Sequence, residues 1–345
     1  MNSNHKRKVI RVLVVDDSLI CQELISSAIN PEPDMQVVGI ASSGKEALAL
    51  NAKLQPDIIT MDIQMPGING FTTIEEIMST QPIPILVVTS VPVLEGVDQT
   101  FRAITAGALD LVRKPELGSA DMNRLVEKLR LLAGIRVVRH RKRKDRPTQS
   151  AKSLTSKTGK KIRVVAIAAS TGGPKALVEM LAPLPRDFPH PLLLTQHLPD
   201  GFFDGFTRWL GSEIAVHAKV AQADEVLEPG CVYVAPAGHH LNLATAKRIS
   251  LSTAPPIRNH RPSATPMFQS VAQIFGPEAL GIILTGMGAD GADGLLSMRE
   301  AGATCLAQNE DSCLIYGMPR SAVEIGAVEV TLDIAGLTQA MRSTS

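Results

Sequence analysis

The sequence predicts two doubly wound α/β domains joined by a charged segment. Short apolar runs alternate with amphipathic stretches along most of the chain, the pattern of parallel strands fed by crossover helices. Hydrophobic residues make up 44% of the 345, yet aromatics only 3%, so the cores must be Val, Ile, Leu and Ala, as in sheets buried on both faces. Charge then divides the chain. Residues 1–135 carry 12 basic and 16 acidic side chains, residues 136–162 carry 11 and one, and residues 163–345 carry 12 and 17. A stretch of net charge +10 between halves of −4 and −5, with little apolar periodicity, reads as a solvated spacer. An electrostatic tether to an acidic surface is the sharper alternative. The expected boundaries are a first domain over residues 9–133, a flexible basic linker over 134–161 and a second domain over 162–345.

In the first domain, strands are expected at Arg11–Val15, Gln36–Ile40, Asp57–Met61, Ile83–Val88 and Ala108–Val112. Helices are expected at Ser18–Ile29, Ser43–Lys53, Gly70–Ser79, Val97–Thr105 and Asp121–Leu132. Five such units form a (βα)5 parallel sheet, which gathers ligands at the carboxyl ends of its strands. In the second domain, strands are expected at Ile162–Ala169, Leu192–Thr195, Val216–Val220, Cys231–Ala235, Ile249–Ser252, Ala279–Thr285, Ala303–Ala307 and Val328–Leu332. Helices are expected at Lys175–Leu181 and Gly294–Ala301.

Several classes drop out. No apolar run approaches the eighteen or so residues of a membrane span. The short apolar stretch after Lys6-Arg7-Lys8 is too brief for an export signal. Cys21, Cys231, Cys305 and Cys313 show no paired spacing and read as buried thiols in a reducing, cytoplasmic setting. The basic segment has no aromatic platform or recognition helix beside it, so nucleic acid is not an expected partner.

Asp16, Asp17, Asp62, Thr89 and Lys114 all fall at or just beyond predicted strand ends of the first domain. Three crowded carboxylates repel unless a cation joins them, and Mg²⁺ suits oxygen ligands. Asp62 is the candidate acceptor, since a carboxylate can form an acyl phosphate. Thr89 and Lys114 are placed to contact phosphoryl oxygens. A cis bond at Lys114-Pro115 would aim the lysine inward. The bland alternative for Asp17 is a cap on the helix near Ser18. Together these residues resemble response-regulator receiver domains over about residues 9–133. The resemblance implies phosphorylation of Asp62 by a histidine kinase. Asn69, where an aspartate often stands, looks harmless; Leu111, where many receivers have an aromatic residue, puts an aromatic switch in doubt.

In the second domain, Ser170-Thr171-Gly172-Gly173-Pro174 lies between a strand and a helix, so the Ser170 hydroxyl should project at the strand's carboxyl end. His197 and Asp290 also follow strands. Three such residues can converge, histidine taking the serine proton and aspartate holding the imidazole. The turn Thr285–Ala289 offers a backbone N–H to an oxyanion. Spacing alone leaves His239, His240 and His260 as rivals to His197, and Asp293 as a rival to Asp290, although Asp293 fits a first helical turn better. The serine lacks the G-x-S-x-G elbow, and the glycines match neither common phosphate-binding motif.

Ala169–Pro174, Gln196-His197-Leu198-Pro199, Ala235–Gly238, Arg261-Pro262-Ser263, Leu284–Ala292 and Tyr316–Arg320 together resemble the catalytic domain of the chemotaxis protein-glutamate methylesterases, the CheB family. A receiver, a linker and this domain is that family's architecture. The resemblance implies a parallel-sheet hydrolase with Ser170 as nucleophile, His197 as base and Asp290 as orienter. Thr171 and Met287 match positions near the serine and at the oxyanion turn. It further implies methyl-accepting chemoreceptors as substrates, release of methanol from glutamate methyl esters, deamidation of receptor glutamines, and no cofactor for hydrolysis. Two departures, Ala264-Thr265-Pro266 where the family usually has an aspartate and Ala237 in place of a common glycine, are expected to leave the triad untouched. Two other readings stay open: a receiver-gated esterase or amidase of another chemosensory pathway, and a non-catalytic signalling adaptor.

Overall fold

The computed structural model describes residues 9–66, 69–90, 97–135, 137 and 161–344. Most of the basic segment, residues 136 and 138–160, lies outside the described residues. The chain divides into two compact units, Met1–Lys144 and Asp145–Ser345.

The first unit is a five-stranded sheet, β1 (Ile10–Val15), β2 (Met35–Ala41), β3 (Ile58–Met61), β4 (Ile85–Thr89) and β5 (Asp110–Arg113). Its order is β2-β1-β3-β4-β5 and every pairing is parallel. The connections are α1 (Leu19–Ile29), α2 (Gly44–Leu54), α3 (Gly70–Thr80) and α4 (Val97–Ala106), with α5 (Ala120–Leu132) after β5. β3 and β4 are buried along their whole length, as central strands with two covered faces must be. Helices start where a side chain can accept from an orphan N–H: Ser18 from Cys21, Ser43 from Glu46 and Asn69 from Thr72. Ser18, not Asp17, therefore caps α1. Asn69 does by its amide oxygen what an aspartate would do there.

The second unit is a seven-stranded sheet of β6 (Val164–Ala169), β7 (Leu192–Gln196), β8 (His217–Val220), β9 (Cys231–Val234), β12 (Ala279–Ile283), β13 (Thr304–Gln308) and β14 (Val330–Leu332). The order is β14-β13-β12-β6-β7-β9-β8, again with parallel pairs only. A separate antiparallel pair joins β10 (His240–Thr245) to β11 (Arg248–Ser252). The helices are α6 (Gly173–Leu181), α7 (Phe203–Glu213), α8 (Ala264–Phe275), α9 (Ala292–Glu300), α10 (Met318–Glu324) and α11 (Ile334–Arg342). Strand β6 has β7 on one side and β12 on the other, so the chain winds outward in both directions from it. That is a topological switch point, where doubly wound sheets open a crevice beyond the strand ends.

β10, α7, α8, α10 and α11 were not among the expected elements. The α8 segment begins Ala264-Thr265-Pro266, and a proline there reads as a break; in the fold it sits in the first helical turn, where its missing N–H costs nothing. Of the four thiols, Cys231 and Cys305 are buried, while Cys21 and Cys313 are only half-buried, which corrects the expectation that all four are interior.

Candidate active site

In the first unit, Asp16 follows β1, Asp62 follows β3, Thr89 ends β4 and Lys114 follows β5. Asp16, Asp62 and Thr89 are buried, and Asp17 is exposed. Asp16, Asp17 and Asp62 each offer a carboxylate oxygen, all within 4.8 Å of one another. Lys114 Nζ lies 2.7 Å from Oδ2 of both Asp16 and Asp62. The contact to Asp16 Oδ2 is an ion pair without hydrogen-bond geometry, so that buried oxygen keeps acceptor capacity. Burial pushes the Asp16 carboxyl up, more than Lys114 and the Ser18 N–H pull it down. For Lys114, burial works against the charge, but the two aspartates outweigh it and raise the ammonium's pKa. Three hard oxygens, one of them under-satisfied, are the donor set that Mg²⁺ takes. One expectation fails here. Among the described residues the only cis bond is Arg261–Pro262, so Lys114-Pro115 is trans. Lysine is held inward by its two carboxylate partners instead.

In the second unit, Ser170 and His197 follow the neighbouring strands β6 and β7, where Ala169 pairs with Gln196. The Gln196 amide donates to the carbonyls of Ser170 (3.0 Å) and His197 (2.9 Å), tying the two backbones together. Ser170 N donates to Thr285 O (3.0 Å), and Ser170 O also accepts from Gly173 N (2.8 Å). The serine's backbone is thus pinned while its hydroxyl, among the described residues, hydrogen-bonds nothing. The turn after β12 crosses directly over it. A Cβ on Gly286 would stand 2.7 Å from Ser170 Cβ and 2.4 Å from Met318 Sδ, so only glycine allows the approach. In that turn Thr285 N is taken by Gln308 Oε1 (2.8 Å) and Gly286 N by Ile315 O (3.1 Å). Met287 is the first residue of the turn whose N–H has no partner among the described residues, and its side chain is exposed. Thr171 N likewise has no partner among the described residues, while Thr171 O accepts from the Thr285 hydroxyl (3.0 Å).

His197 Nε2 lies 2.8 Å from Asp290 Oδ2, and Nδ1 is buried with no hydrogen-bond partner among the described residues. Asp290 is 1% exposed and sits in a cradle of donors. Ala264 N donates to Oδ2 (2.7 Å); the Ser263 and Thr265 hydroxyls donate to Oδ1. Burial alone would raise this carboxyl, but His197, Ser263 and Ala264 outweigh it and hold the pKa at about 2. The Ala264-Thr265 departure therefore does contact Asp290, the residue it was expected to leave alone: it is the start of α8, and its backbone and hydroxyl grip that carboxylate. Ser263 and Thr265 lie in segments singled out in the sequence, but neither was given a role at Asp290. The signal available was a serine two residues ahead of a threonine at a helix start, where Ser263 accepts from Thr265 N.

The rival residues resolve as well. His240 is buried and structural, with Nε2 on Pro255 O (3.2 Å) and Nδ1 accepting from Ser263 N (3.1 Å). His239 Nδ1 bonds Ala237 O (3.0 Å). Asp293 lies in the first turn of α9 and pairs with Arg258 at 2.9 Å. Only His260 also reaches the site, stacked on His197.

The CheB methylesterase family matches residues 165–341, and the response regulator receiver domain matches residues 12–130. The chain belongs to the CheB methylesterase family. A family member from Methanospirillum hungatei, named protein-glutamate methylesterase/protein-glutamine glutaminase 2, is 40% identical over 98% of this chain and 99% of its own length. One from Salmonella typhi, named protein-glutamate methylesterase/protein-glutamine glutaminase, is 38% identical over 96% of each. The second unit is similar to the crystal structure of the Thermotoga maritima CheB methylesterase catalytic domain, with TM-score 0.52 and 32% identity over 53% of this chain and 99% of that one. This CheB-family chain is a hydrolase with a receiver domain, and among the described residues no helix is long and apolar enough to cross a membrane.

Proposed function

We propose that the chain is a cytoplasmic, phosphorylation-activated protein-glutamate methylesterase and protein-glutamine glutaminase acting on chemoreceptors. The observation that carries the hydrolytic reading is the buried His197–Asp290 pair, with Nδ1 left unpartnered at the strand end beside Ser170. Residues 9–133 serve as receiver, 134–161 as linker and 162–345 as catalytic domain.

Ser170 Oγ attacks the side-chain carbonyl of the glutamate ester or glutamine, and its proton passes to His197 Nδ1. Asp290 keeps the Nε2 proton in place and stabilises the imidazolium. This reverses the ring nitrogens of the familiar serine-protease arrangement, where the aspartate holds Nδ1. The tetrahedral oxyanion is received by the N–H groups of Met287 and Thr171. Collapse expels methoxide or amide, which takes the proton from His197 and leaves as methanol or ammonia. Water then attacks the acyl-serine through the same base, releasing glutamate. The serine and histidine tighten onto each other as substrate fills the site.

In the receiver, Asp62 accepts the phosphoryl group from a histidine kinase, and Thr89 and Lys114 contact its oxygens. Asp16, Asp17 and Asp62 would hold Mg²⁺, which neutralises charge on the phosphoryl group. The test is methanol release from methyl-esterified chemoreceptor by the full chain, with and without a small phosphodonor and Mg²⁺. Release that rises with phosphodonor supports the reading. No release under any condition would refute it.

A further inference from the structure

One histidine at the site has no part in that chemistry. The His260 ring lies flat on His197, with centroids 3.8 Å apart and planes 5° from parallel. The backbone delivering it is heavily constrained. His260 N donates to Ile257 O at 2.9 Å and Ile257 N to His260 O at 3.1 Å, which closes a two-residue antiparallel turn. Its central residues, Arg258 and Asn259, both have positive φ, 48° and 65°. That is the backbone of a type I′ turn, normally given to Asn and Gly. Arginine adopts it under strain.

The strain is countered on both flanks. Arg258 Nη2 donates to Asp293 Oδ2 at 2.9 Å, and Arg261 Nη1 donates to the carbonyls of Thr253 (3.0 Å) and Ala254 (3.3 Å). Asp293, passed over as the triad acid, has this anchoring role. Immediately beyond, Ser263 holds Asp290. One short stretch, 258–265, therefore touches the catalytic pair from two directions, and strained backbone held this firmly marks a side chain that must be placed.

The hydrogen bond to Asp290 fixes His197 at a single atom, Nε2. The ring can still tilt and swing about that point. A flat contact against its face fixes the plane. We propose that His260 is a positioning residue that holds the plane of the His197 ring so that Nδ1 points at the Ser170 hydroxyl. This rests on the reading of His197 as the base. The role requires a flat ring and no proton, so phenylalanine should substitute and alanine should not.

The test uses the full chain and the methanol-release assay, with Ser170→Ala as the inactive reference. His260→Ala should lower kcat by about 10- to 100-fold, the scale of a small misplacement of a catalytic group, with KM within about threefold. His260→Phe should stay within about threefold of the unsubstituted chain in both. A second readout needs no turnover: the downfield proton signal of His197 Nε2–H, identified by its loss in Asp290→Ala. It should be sharp in the unsubstituted chain and in His260→Phe, and broadened in His260→Ala. Full activity of His260→Ala, equal damage by phenylalanine and alanine, or a rise confined to KM would overturn the proposal. If the unsubstituted chain releases no methanol while the proton signal follows the expected pattern, the positioning role stands and the substrate reading falls.

Discussion

Asp290→Asn separates the charge of the triad from its geometry. Both carboxylate oxygens only accept: Oδ2 from His197 Nε2 at 2.8 Å and Ala264 N at 2.7 Å, Oδ1 from the Ser263 and Thr265 hydroxyls. An asparagine must turn its NH₂ toward one of these sides. On the Oδ2 side it would meet the Ala264 N–H, which cannot reverse. On the Oδ1 side it meets hydroxyls, and Ser263 can rotate to accept. The amide oxygen therefore stays against His197, and the Nε2–H tautomer survives. What disappears is the charge. The fall of the carboxyl from 3.8 to about 2 corresponds to about 2 kcal/mol of coupling, and much of it also stabilises the imidazolium formed when Ser170 gives up its proton. The expected loss in kcat is on the order of 10²-fold. That is well short of the ~10⁴-fold seen when the analogous change in a serine protease reverses the tautomer. The assay is methanol release by the phosphorylated full chain at saturating receptor, beside Ser170→Ala. A loss matching Ser170→Ala would mean that the tautomer had reversed and the cradle argument is wrong. A loss under threefold would mean that the charge of Asp290 does not matter.

Other consequences follow from the same geometry. Ser170→Ala should lower methanol release by about 10³-fold or more while the thermal midpoint stays put; near-normal release would remove the nucleophile assignment. Asp62→Asn, and separately Mg²⁺ removal, should each abolish labelling by a small phosphodonor yet spare basal hydrolysis; Mg²⁺-dependent, acid-labile label on the variant would place the acceptor elsewhere. Asp290 has a depressed pKa, so its contribution to stability is complete above about pH 4 and lost as pH falls through about 2. Ser263→Ala removes one of its donors, so acid unfolding of the variant should begin at higher pH; identical acid transitions would show that Ser263 contributes nothing to the carboxylate.

What could be read in the chain, and what could not, divides by sequence distance. The strand-end residues were legible because each sits in a local pattern. Ser170 lies between an apolar run and Gly172-Gly173-Pro174, and Asp62 follows the buried strand β3. The cradle was not legible, because Ser263 lies 27 residues from Asp290 and meets it only once α8 packs beside α9. The same cause misdirected the reading of Lys114-Pro115, where a local device was expected to aim the lysine. Its direction comes from Asp62, 52 residues away, and Asp16, on different strands of one sheet. His260 was weighed as a rival base, and spacing alone had no means of separating a base from a ring that supports one, the role proposed above for His260. That distinction rests on the positive φ of Arg258 and Asn259, since the tight turn they form lays one imidazole flat on the other instead of aiming it at the serine. With Nε2 on Asp290 and the His260 ring across its face, His197 keeps one ring nitrogen without a hydrogen-bond partner among the described residues, Nδ1, and the proposed base chemistry needs that atom.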